Sequence, residues 1–395
     1  MTTDSPGALP EGWSHVRFGD VVERVSETGI PTGEESKRYI GLEHMESGDL
    51  QIRSWGSEVA ITNPKTRVRA GDVLFARRNT HLRRAAIAPF DTFYSPDGYA
   101  FRSSSPALLQ SFLLTVVSAD AFMDFAVRHS SGTHSKRVKW IQLQEYQFAL
   151  PPLEEQKRIV ELLETLRETR ERFNNVEQAA QNLSEAYFRS KLEALQISPV
   201  PLSSLGLWRR GYSFSGQDYA PSEEGHPFLT LAAVSKSGGI RVEGAKWIRK
   251  QPPDKQCAPA GSILIANTDL TPGREFIGRP ILVPTGLHMA GYSHHLTLID
   301  LNDKSLNRWL FWELQAPICR DFLRSRTRGS TVMMLDMKSL GSLPIRVPDV
   351  SERNRILGAL DVLAEVESDA QLASSNISKL YSQVSQALLG DPSVQ

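Results

Sequence analysis

The chain has 395 residues, of which 40% are hydrophobic and 23% charged, and its 45 basic residues balance its 45 acidic ones. This length predicts more than one domain, since a single core rarely grows beyond about 250 residues, and the composition excludes a disordered or collagen-like chain. The two cysteines exclude a disulfide scaffold, and the lack of a long apolar run or a signal-peptide layout predicts a cytoplasmic protein with no membrane partner.

The charges are distributed unevenly along the chain. Residues 198–346 contain 18 basic and 12 acidic residues, whereas residues 347–395 contain 3 and 7. Basic residues cluster further in short loops. The zero net charge is therefore a cancellation between segments, and it does not exclude a nucleic-acid partner.

The first predicted domain, residues 1–150, combines α and β signals. Residues 71–76 begin with a glycine and are typical of a short buried strand, and residues 108–128 are typical of a helix. A basic loop, residues 77–84, follows the strand, and a second basic loop spans residues 130–137. Arginine and asparagine pair with guanine and adenine edges, and basic side chains neutralise phosphates. The candidate DNA-binding residues of this domain are Arg77, Arg78, Asn79, Arg83, Arg84, Thr133, Lys136 and Arg137.

Residues 151–197 are predicted to form a first spacer helix. Prolines bound the segment, and apolar residues recur on a 3-4 spacing that begins at Ile159 and includes Leu162, Val176 and Leu183. Such a seam over five heptads is typical of a coiled coil. A core helix in a bundle is the alternative reading.

The second predicted domain, residues 198–346, has the same order of signals. Residues 261–266 indicate a buried strand, residues 306–323 a helix, and basic loops lie at equivalent places. If the second loop is extended, its arginines lie on one side and match a row of phosphates. The candidate DNA-binding residues here are Asn267, Thr268, Asp269, Arg274, Arg324, Arg326, Arg328 and Thr331.

Residues 347–395 are predicted to form a second spacer helix. Its apolar series begins at Ile356 and includes Ala359, Val366 and Leu380. Because the link between the first helix and the second domain is short, the second helix should return antiparallel to the first. An intermolecular coiled coil is the competing arrangement.

The two halves of the chain resemble each other. Residues 150–163 align with residues 347–360 at an offset of 197 positions, with five identities in 14, and residues 70–76 align with residues 260–266. Agreement in the same order indicates a tandem duplication. The predicted fold class is α+β, with two pseudo-repeated mixed α/β domains separated by a long antiparallel two-helix coiled coil.

No catalytic or metal site is predicted. The sequence lacks a phosphate-binding loop ending in Gly-Lys-Ser/Thr, and neither cysteine has a partner at metal-binding spacing. Asp20 with residues 35–37, and Asp321 with residues 336–338, imitate a metal-dependent nuclease pattern. Each is short and lies on no clear pair of strands, so we expect neither a catalytic residue nor a cofactor in this chain.

Several motifs together resemble a known family. They are the opening Leu9–Trp13 (LPEGW), the central Gly71–Arg77 (GDVLFAR), the loop Ser131–Thr133 (SGT) and the block Leu150–Val160 (LPPLEEQKRIV) before a long helix. With the repeat, the chain is similar to the specificity subunit of type I restriction-modification systems. The second copy departs from the pattern: Val347–Asn354 replaces the Pro-Pro-x-x-Glu-Gln form, and the second domain lacks the Gly-Trp opening.

The resemblance implies a function without chemistry of its own. Each domain would be a target-recognition domain that reads one half of a split, asymmetric site in double-stranded DNA. The helices would dock two methyltransferase subunits and set the spacing, and restriction subunits would join them. S-adenosylmethionine, ATP and Mg²⁺ would belong to these partners. A reader in another phage-defence complex, a stand-alone nuclease or methyltransferase, and a coiled-coil interaction protein remain the alternatives.

Overall fold

The computed structural model describes residues 9–56, 61–133, 135–222, 224–236, 238–241, 244–271, 273–329 and 332–389, without the side chains of Ser36, Leu388 and Leu389. The chain divides into two compact units. Unit 1 comprises Met1–Asn174 and Gln371–Gln395, and unit 2 comprises Asn175–Ala370. Each contains one mixed α/β domain and part of two long helices, Leu153–Ala194 and Val350–Leu389. The predicted domain limits at residues 150, 197 and 346 stay predictions.

The described strands of unit 1 form small antiparallel sheets. The largest has the spatial order Val22–Arg24, Tyr99–Ser103, Val73–Phe75, Ala85–Ile87. The other pairings join Thr28–Gly29, Lys65–Val68 and Thr92–Tyr94, and Ser14–Arg17 with Gln147–Leu150. The shorter α-helices are Phe18–Val21, Gln110–Ser118, Asp120–Arg128 and Trp140–Leu143, and the 3-10 helices are Gly33–Arg38, Leu42–His44 and Thr80–Leu82.

The glycine-led strand of unit 1 is confirmed. Gly71 has a φ of +88°, which L-residues rarely adopt, and it turns the chain into Val73–Phe75. Val73 and Phe75 belong to one apolar cluster and Leu74 to another. The strand is therefore buried on both faces, which is why its sequence is continuously apolar.

The predicted helix at residues 108–128 is two helices in the structure. Gln110–Ser118 and Asp120–Arg128 meet at Ala119, whose extended backbone (φ −66°, ψ 145°) ends one helix and begins the next. The bend lets both helices place apolar side chains in the unit 1 core. No single described helix is long and apolar enough to cross a membrane. Taken together, the two helices of this pair, bent by 59°, have the length and composition of a span, but they meet only those two criteria.

Aromatic rings dominate the core of unit 1. Phe18 lies 5.3 Å from Phe101 and 5.1 Å from Phe122 between ring centroids, and Phe75 contacts the latter two rings as well. The Phe18–Phe101 and Phe75–Phe122 pairs are edge-to-face, and such pairs add stability beyond area burial. This cluster anchors the strand that carries the first predicted DNA-binding loop.

Unit 2 contains an equivalent sheet. Its spatial order is Gly206–Arg210, Leu296–Leu301, Ile263–Ala266, Pro280–Leu282. Additional sheets join Lys246–Ile248, His226–Leu229, Met289–Tyr292 and Cys257–Pro259, then Thr268–Asp269, Met333–Leu335 and Thr327–Arg328, and finally Val200–Pro201 with Pro344–Ile345. The shorter α-helices are Leu202–Leu205, Asn307–Gln315, Pro317–Ser325 and Met337–Leu340, and the described 3-10 helices are Gly216–Asp218, Leu231–Ala233, Asp254–Gln256, Thr285–Leu287 and Lys304–Leu306.

The internal repeat is visible in three dimensions. Ile263–Ala266 occupies the third place in its sheet, as Val73–Phe75 does, and it too is buried on both faces. The helix predicted at residues 306–323 is again two helices, broken at Ala316 with φ −60° and ψ 141°. The predicted α+β fold class with two pseudo-repeated domains is confirmed.

The long helices run antiparallel within each unit. In unit 1 the Ser374 hydroxyl donates to Asn174 Oδ1 at 2.6 Å, and in unit 2 the amide of Gln181 donates to Glu367 at 2.6 Å. Position 174 thus pairs with position 374 and position 181 with position 367, so the residue numbers of the two helices run in opposite directions. The antiparallel two-helix coiled coil of the prediction is confirmed.

The predicted apolar seam is wrong at several positions of both helices, and Val366 and Leu380 of the second helix are exposed. Leu162, Val176 and Leu183 are exposed, whereas Leu163 and Ser184, each one residue later, are buried. Runs such as Leu162–Leu163 fit either register on a sequence pattern. Packing against the globular domain distinguishes the two registers, because it buries the side chain that contacts the core.

Candidate nucleic-acid interface

The two basic loops of the first domain lie side by side. Arg78 forms an isolated antiparallel bridge with Arg137, and the Asn79 N–H donates to the Lys136 carbonyl at 2.8 Å. Asn79 has a φ of +54°, a left-handed conformation that asparagine tolerates better than most residues. Loops whose contacting residues Arg78 and Ser135 are 57 positions apart in sequence are therefore joined into one surface.

One carboxylate holds both loops. Asp97 Oδ2 accepts a hydrogen bond from Arg78 at 2.9 Å, and Oδ1 pairs with Arg137 at 3.0 Å. Arg78 also donates to the Ser135 hydroxyl at 2.7 Å. The two arginines remain 41% and 47% exposed, so they are oriented and partly neutralised while still accessible.

The other arginines of the first loop have structural partners. Arg77 donates to the Tyr99 hydroxyl at 3.1 Å and lies over its ring. Arg83 pairs with Asp120 and Asp124. These contacts leave limited freedom to reach a ligand.

Arg84 is held by the backbone. Its guanidinium donates to the Leu42 carbonyl at 2.6 Å, and its buried Nε has no hydrogen-bond partner among the described residues. Thr133 and Lys136, by contrast, are exposed at the edge of the second loop. The candidates of the first domain are thus adjacent, and they differ widely in accessibility.

The first loop of the second domain is buried at its start. Asn267, Thr268 and Asp269 are each at most 3% exposed. The Asn267 amide donates to Thr297 Oγ1 at 2.8 Å, and Thr268 Oγ1 hydrogen-bonds His295 Nδ1 at 2.8 Å. In this structure all three side chains form hydrogen bonds within the loop or to neighbouring residues.

Asp269 organises the loop that follows it. Its carboxylate accepts hydrogen bonds from the backbone and hydroxyl of Thr271, both at 2.7 Å, and from the N–H groups of Phe276 and Ile277. Burial by itself raises the pKa of Asp269, but these hydrogen bonds outweigh it and hold the pKa below its usual range. The folded loop therefore stabilises the ionised carboxylate of Asp269.

The two loops of the second domain also meet. Arg274 donates to the Arg324 carbonyl at 3.3 Å, and Arg324 donates to the Arg274 carbonyl at 3.4 Å. Thr327–Arg328 and Thr268–Asp269 both pair with the strand Met333–Leu335. The structure thus joins the loops in both domains, by different contacts.

The expected extended row of arginines is not formed. Arg324 lies in the last turn of the helix Pro317–Ser325, Arg326 caps that helix and stacks on Phe322 at 3.5 Å, and only Thr327–Arg328 is a strand. The helix continues because its apolar face is buried in the unit 2 core. Arg328 is 82% exposed and pairs loosely with Asp336 at 3.4 Å. Thr331 lies outside the described residues.

Asp97 is an organising residue that sequence reasoning missed. Its only sequence signal is the turn composition of Ser95–Gly98, which predicts a loop and not a partner for arginines 19 and 40 positions away. No group of three or more His, Cys, Asp or Glu side chains that could hold a metal ion is found among the described residues.

The sequence matches a family model over part of its length. Residues 10–180 match the Type I restriction modification DNA specificity domain. The type I restriction enzyme EcoDI specificity subunit of Escherichia coli is 26% identical over 161 residues, which are 40% of this chain and 36% of that protein. The alignment thus spans about a third of the curated relative.

Two solved structures share the fold. One, from work on complex assembly and conformational transition of the type I R-M system, has a TM-score of 0.57 and 22% identity, covering 98% of this chain and 100% of the other. The S subunit of the type I system of M. genitalium has a TM-score of 0.57 and 12% identity, covering 98% and 99%. These two structures show the fold, and the family match agrees with the resemblance inferred from the sequence.

Proposed function

This chain belongs to the specificity subunits of type I restriction-modification systems, and on that premise we propose that it recognises a base sequence in double-stranded DNA. The observation that carries the proposal is the pairing of two basic loops in each domain, at repeat-equivalent places. Two such surfaces suit the two halves of a split, asymmetric site. Residues 1–150 and 198–346 would be the reading domains, and residues 151–197 and 347–395 the spacer.

The structure supports a division of roles among the candidate residues. Arg78 and Arg137 are oriented by a carboxylate, as bidentate contact with a guanine or a phosphate requires. Lys136, Arg274 and Arg328 are exposed and suited to phosphates, with Thr133 beside them. Buried Asn267, Thr268 and Asp269 would instead shape the second domain's loop, as Arg77, Arg83 and Arg84 would in the first. Arg324 and Arg326 would make smaller contributions to DNA binding.

The chemistry would reside in partner subunits. We expect two methyltransferase subunits to dock on the helices, with restriction subunits joining them, and S-adenosylmethionine, ATP and Mg²⁺ to be bound by those partners. The chain itself would have no turnover. Purified chain incubated with duplex DNA, Mg²⁺ and S-adenosylmethionine should neither cut nor methylate it, and either product would contradict this assignment.

The direct test of the function is a map of methylated adenines in host DNA with and without this gene. A split motif should be methylated only when the gene is present. A reader in another defence complex would leave adenine methylation unchanged. A coiled-coil interaction protein that does not act on DNA would also leave it unchanged, and it would not bind duplex DNA. The map reports the motif and the function together.

Arg328→Ala is expected to weaken binding to every duplex by roughly threefold to tenfold, and to make the slope of log K against log salt shallower by about 0.9. The guanidinium of Arg328 is exposed and only loosely paired with Asp336, so it can meet a phosphate, and one lost phosphate contact gives this slope change. Fluorescence anisotropy at several salt concentrations measures both quantities, with the exposed Arg249→Ala as a control in the same unit. A change confined to the preferred bases would contradict a phosphate role.

Asp97→Asn is expected to tighten non-specific binding and to steepen the salt slope by between about 1 and 2, because it releases two arginines from one carboxylate. Discrimination between target and random duplexes should fall. Glu154→Gln makes the same charge change on an exposed helix residue and should alter neither quantity. Unchanged affinity for random DNA would show that Asp97 does not restrain these arginines.

A further inference from the structure

A cavity of about 220 Å³ in unit 2 is lined by four arginines, Arg189, Arg279, Arg320 and Arg324, together with the ring of Trp312. It lies beside the break between Asn307–Gln315 and Pro317–Ser325. Concentrated positive charge around a small cavity is unusual, because like charges repel and each must lose water. The arrangement therefore calls for a counter-charge.

The most buried of these side chains has an unmet hydrogen-bonding group. Arg320 is 4% exposed, donates to the carbonyls of Ile277 and Glu275, and has a buried Nε with no partner among the described residues. A buried N–H without an acceptor destabilises the folded state, because the group has lost its hydrogen bond to water. Burial, with Arg279 and Arg324 close by, lowers the pKa of Arg320 to about 9.

The protein's own carboxylates neutralise the cluster only in part. Glu185 and Asp321 also line the cavity and act electrostatically on Arg279 and Arg320, but among the described residues neither forms an ion pair with Arg279, Arg320 or Arg324. The nine-residue helix Pro317–Ser325 also begins at the cavity wall, and the N-terminal end of a helix favours an anion. Charge, burial and helix direction thus agree on a negative ligand.

A second cavity adjoins the first and shares part of its wall. It measures about 540 Å³ and shares Arg189, Ala316, Pro317 and Asp321 with the arginine-lined cavity. Leu192 and Ile318 form the apolar part of its lining, beside the charged side chains of Glu193 and Arg346. The first space suits a phosphate group, and the second suits a planar or apolar body attached to it.

We propose that these joined cavities bind a small phosphate-bearing ligand of the mononucleotide class, with the phosphate among Arg189, Arg279 and Arg320. Guanidinium groups match phosphate geometry by paired N–H donors, and the buried Nε gains an acceptor. A small ligand fits better than a DNA backbone, because a stiff duplex cannot bring a phosphate to a 96%-buried side chain. The site includes Arg324, one of the residues proposed to meet DNA, but neither Arg274 nor Arg328.

Occupancy would also stiffen a recognition loop. Arg320 donates to the carbonyls of Glu275 and Ile277, and Asp269 accepts from the N–H groups of Phe276 and Ile277. An anion that fixes Arg320 therefore fixes the segment that ends the second domain's first loop. The ligand would couple to DNA reading through this segment.

The test is calorimetric titration of the full chain with AMP, inorganic phosphate and adenosine at constant ionic strength. AMP should bind saturably with one site, phosphate more weakly, and adenosine not at all. Arg279→Gln should weaken AMP binding at least tenfold, and Arg189→Gln should weaken it too. The exposed Arg249→Gln is the matched control and should bind as the natural chain does.

Hydrogen exchange supplies an independent readout. With AMP bound, the amides of Phe276 and Ile277 should exchange more slowly, and Arg279→Gln should abolish that effect while its circular dichroism stays unchanged. Absence of saturable AMP binding, equal binding of adenosine, or an unaltered Arg279→Gln affinity would overturn the proposal. So would a duplex that binds through Arg279 while AMP does not, because the phosphate would then come from DNA.

Discussion

Asp72→Asn is expected to destabilise unit 1 by about 3 kcal/mol, since breaking one partner of a buried ion pair costs about 3–5 kcal/mol and Arg102 is partly solvated. Asp72 is 3% exposed in its side chain and accepts two hydrogen bonds from Arg102, both at 2.7 Å. It also accepts from the Arg69 N–H at 2.8 Å. Asparagine keeps the shape but loses the charge that Arg102 requires.

Urea unfolding of the full chain, followed by circular dichroism, measures this loss. Glu34→Gln removes the exposed ion pair with Lys37 and should change the free energy of unfolding by less than about 0.5 kcal/mol. A double-mutant cycle with Arg102→Met isolates the pair itself. Equal effects of Asp72→Asn and Glu34→Gln would show that burial of this pair contributes nothing.

Acidic side chains explain how a chain of zero net charge can contain DNA-reading surfaces. In the first domain Asp97 holds Arg78 and Arg137, and Asp120 holds Arg83. Such pairs reduce indiscriminate attraction to phosphates and fix the direction of each guanidinium. Specific recognition gains from oriented donors, whereas free cations would mainly add sequence-independent affinity.

The elements with strong local signals could be predicted from the sequence. Glycine-led apolar runs became the strands Val73–Phe75 and Ile263–Ala266, and the proline-bounded periodic segments became the two long helices. The repeat added information that no single segment holds, because the same signals recur in the same order. It correctly predicted two pseudo-repeated domains, whereas the equivalence of the two sheets and the contact between the basic loops are seen only in the structure.

What failed depended on contacts distant in sequence. The seam register was wrong at Leu162 because Leu163 is also apolar, and only the packed domain distinguishes them. Asn267 and Asp269 look like exposed loop residues, yet the fold buries them against His294, Thr297 and the N–H groups that follow. The clamp at Asp97 and the arginine-lined cavity likewise require the folded backbone.

Glu313 is expected to make unit 2 lose stability as the pH rises. Its side chain is fully buried and accepts from Trp309 Nε1 at 3.1 Å and from the Arg346 N–H at 2.8 Å. Burial raises the pKa of Glu313 from 4.5 to about 7. Because the folded pKa is the higher one, the protonated folded state is favoured; its stabilising effect is complete below pH 4.5 and is lost as the pH rises through about 7.

The measurement compares Glu313→Gln with the natural chain by urea unfolding between pH 5 and 8. One pKa unit corresponds to about 1.4 kcal/mol, so the free energy of unfolding of the natural chain should fall by roughly 2 kcal/mol relative to the variant over this range. Glutamine stays neutral throughout, and even if it loses one hydrogen bond, that loss is the same at every pH. Glu224→Gln changes an exposed carboxylate and should leave the profile parallel to that of the natural chain. A Glu313→Gln profile that is also parallel would show that the buried carboxyl does not titrate in this range, and that the folded state holds its charge through the hydrogen bonds from Trp309 and Arg346.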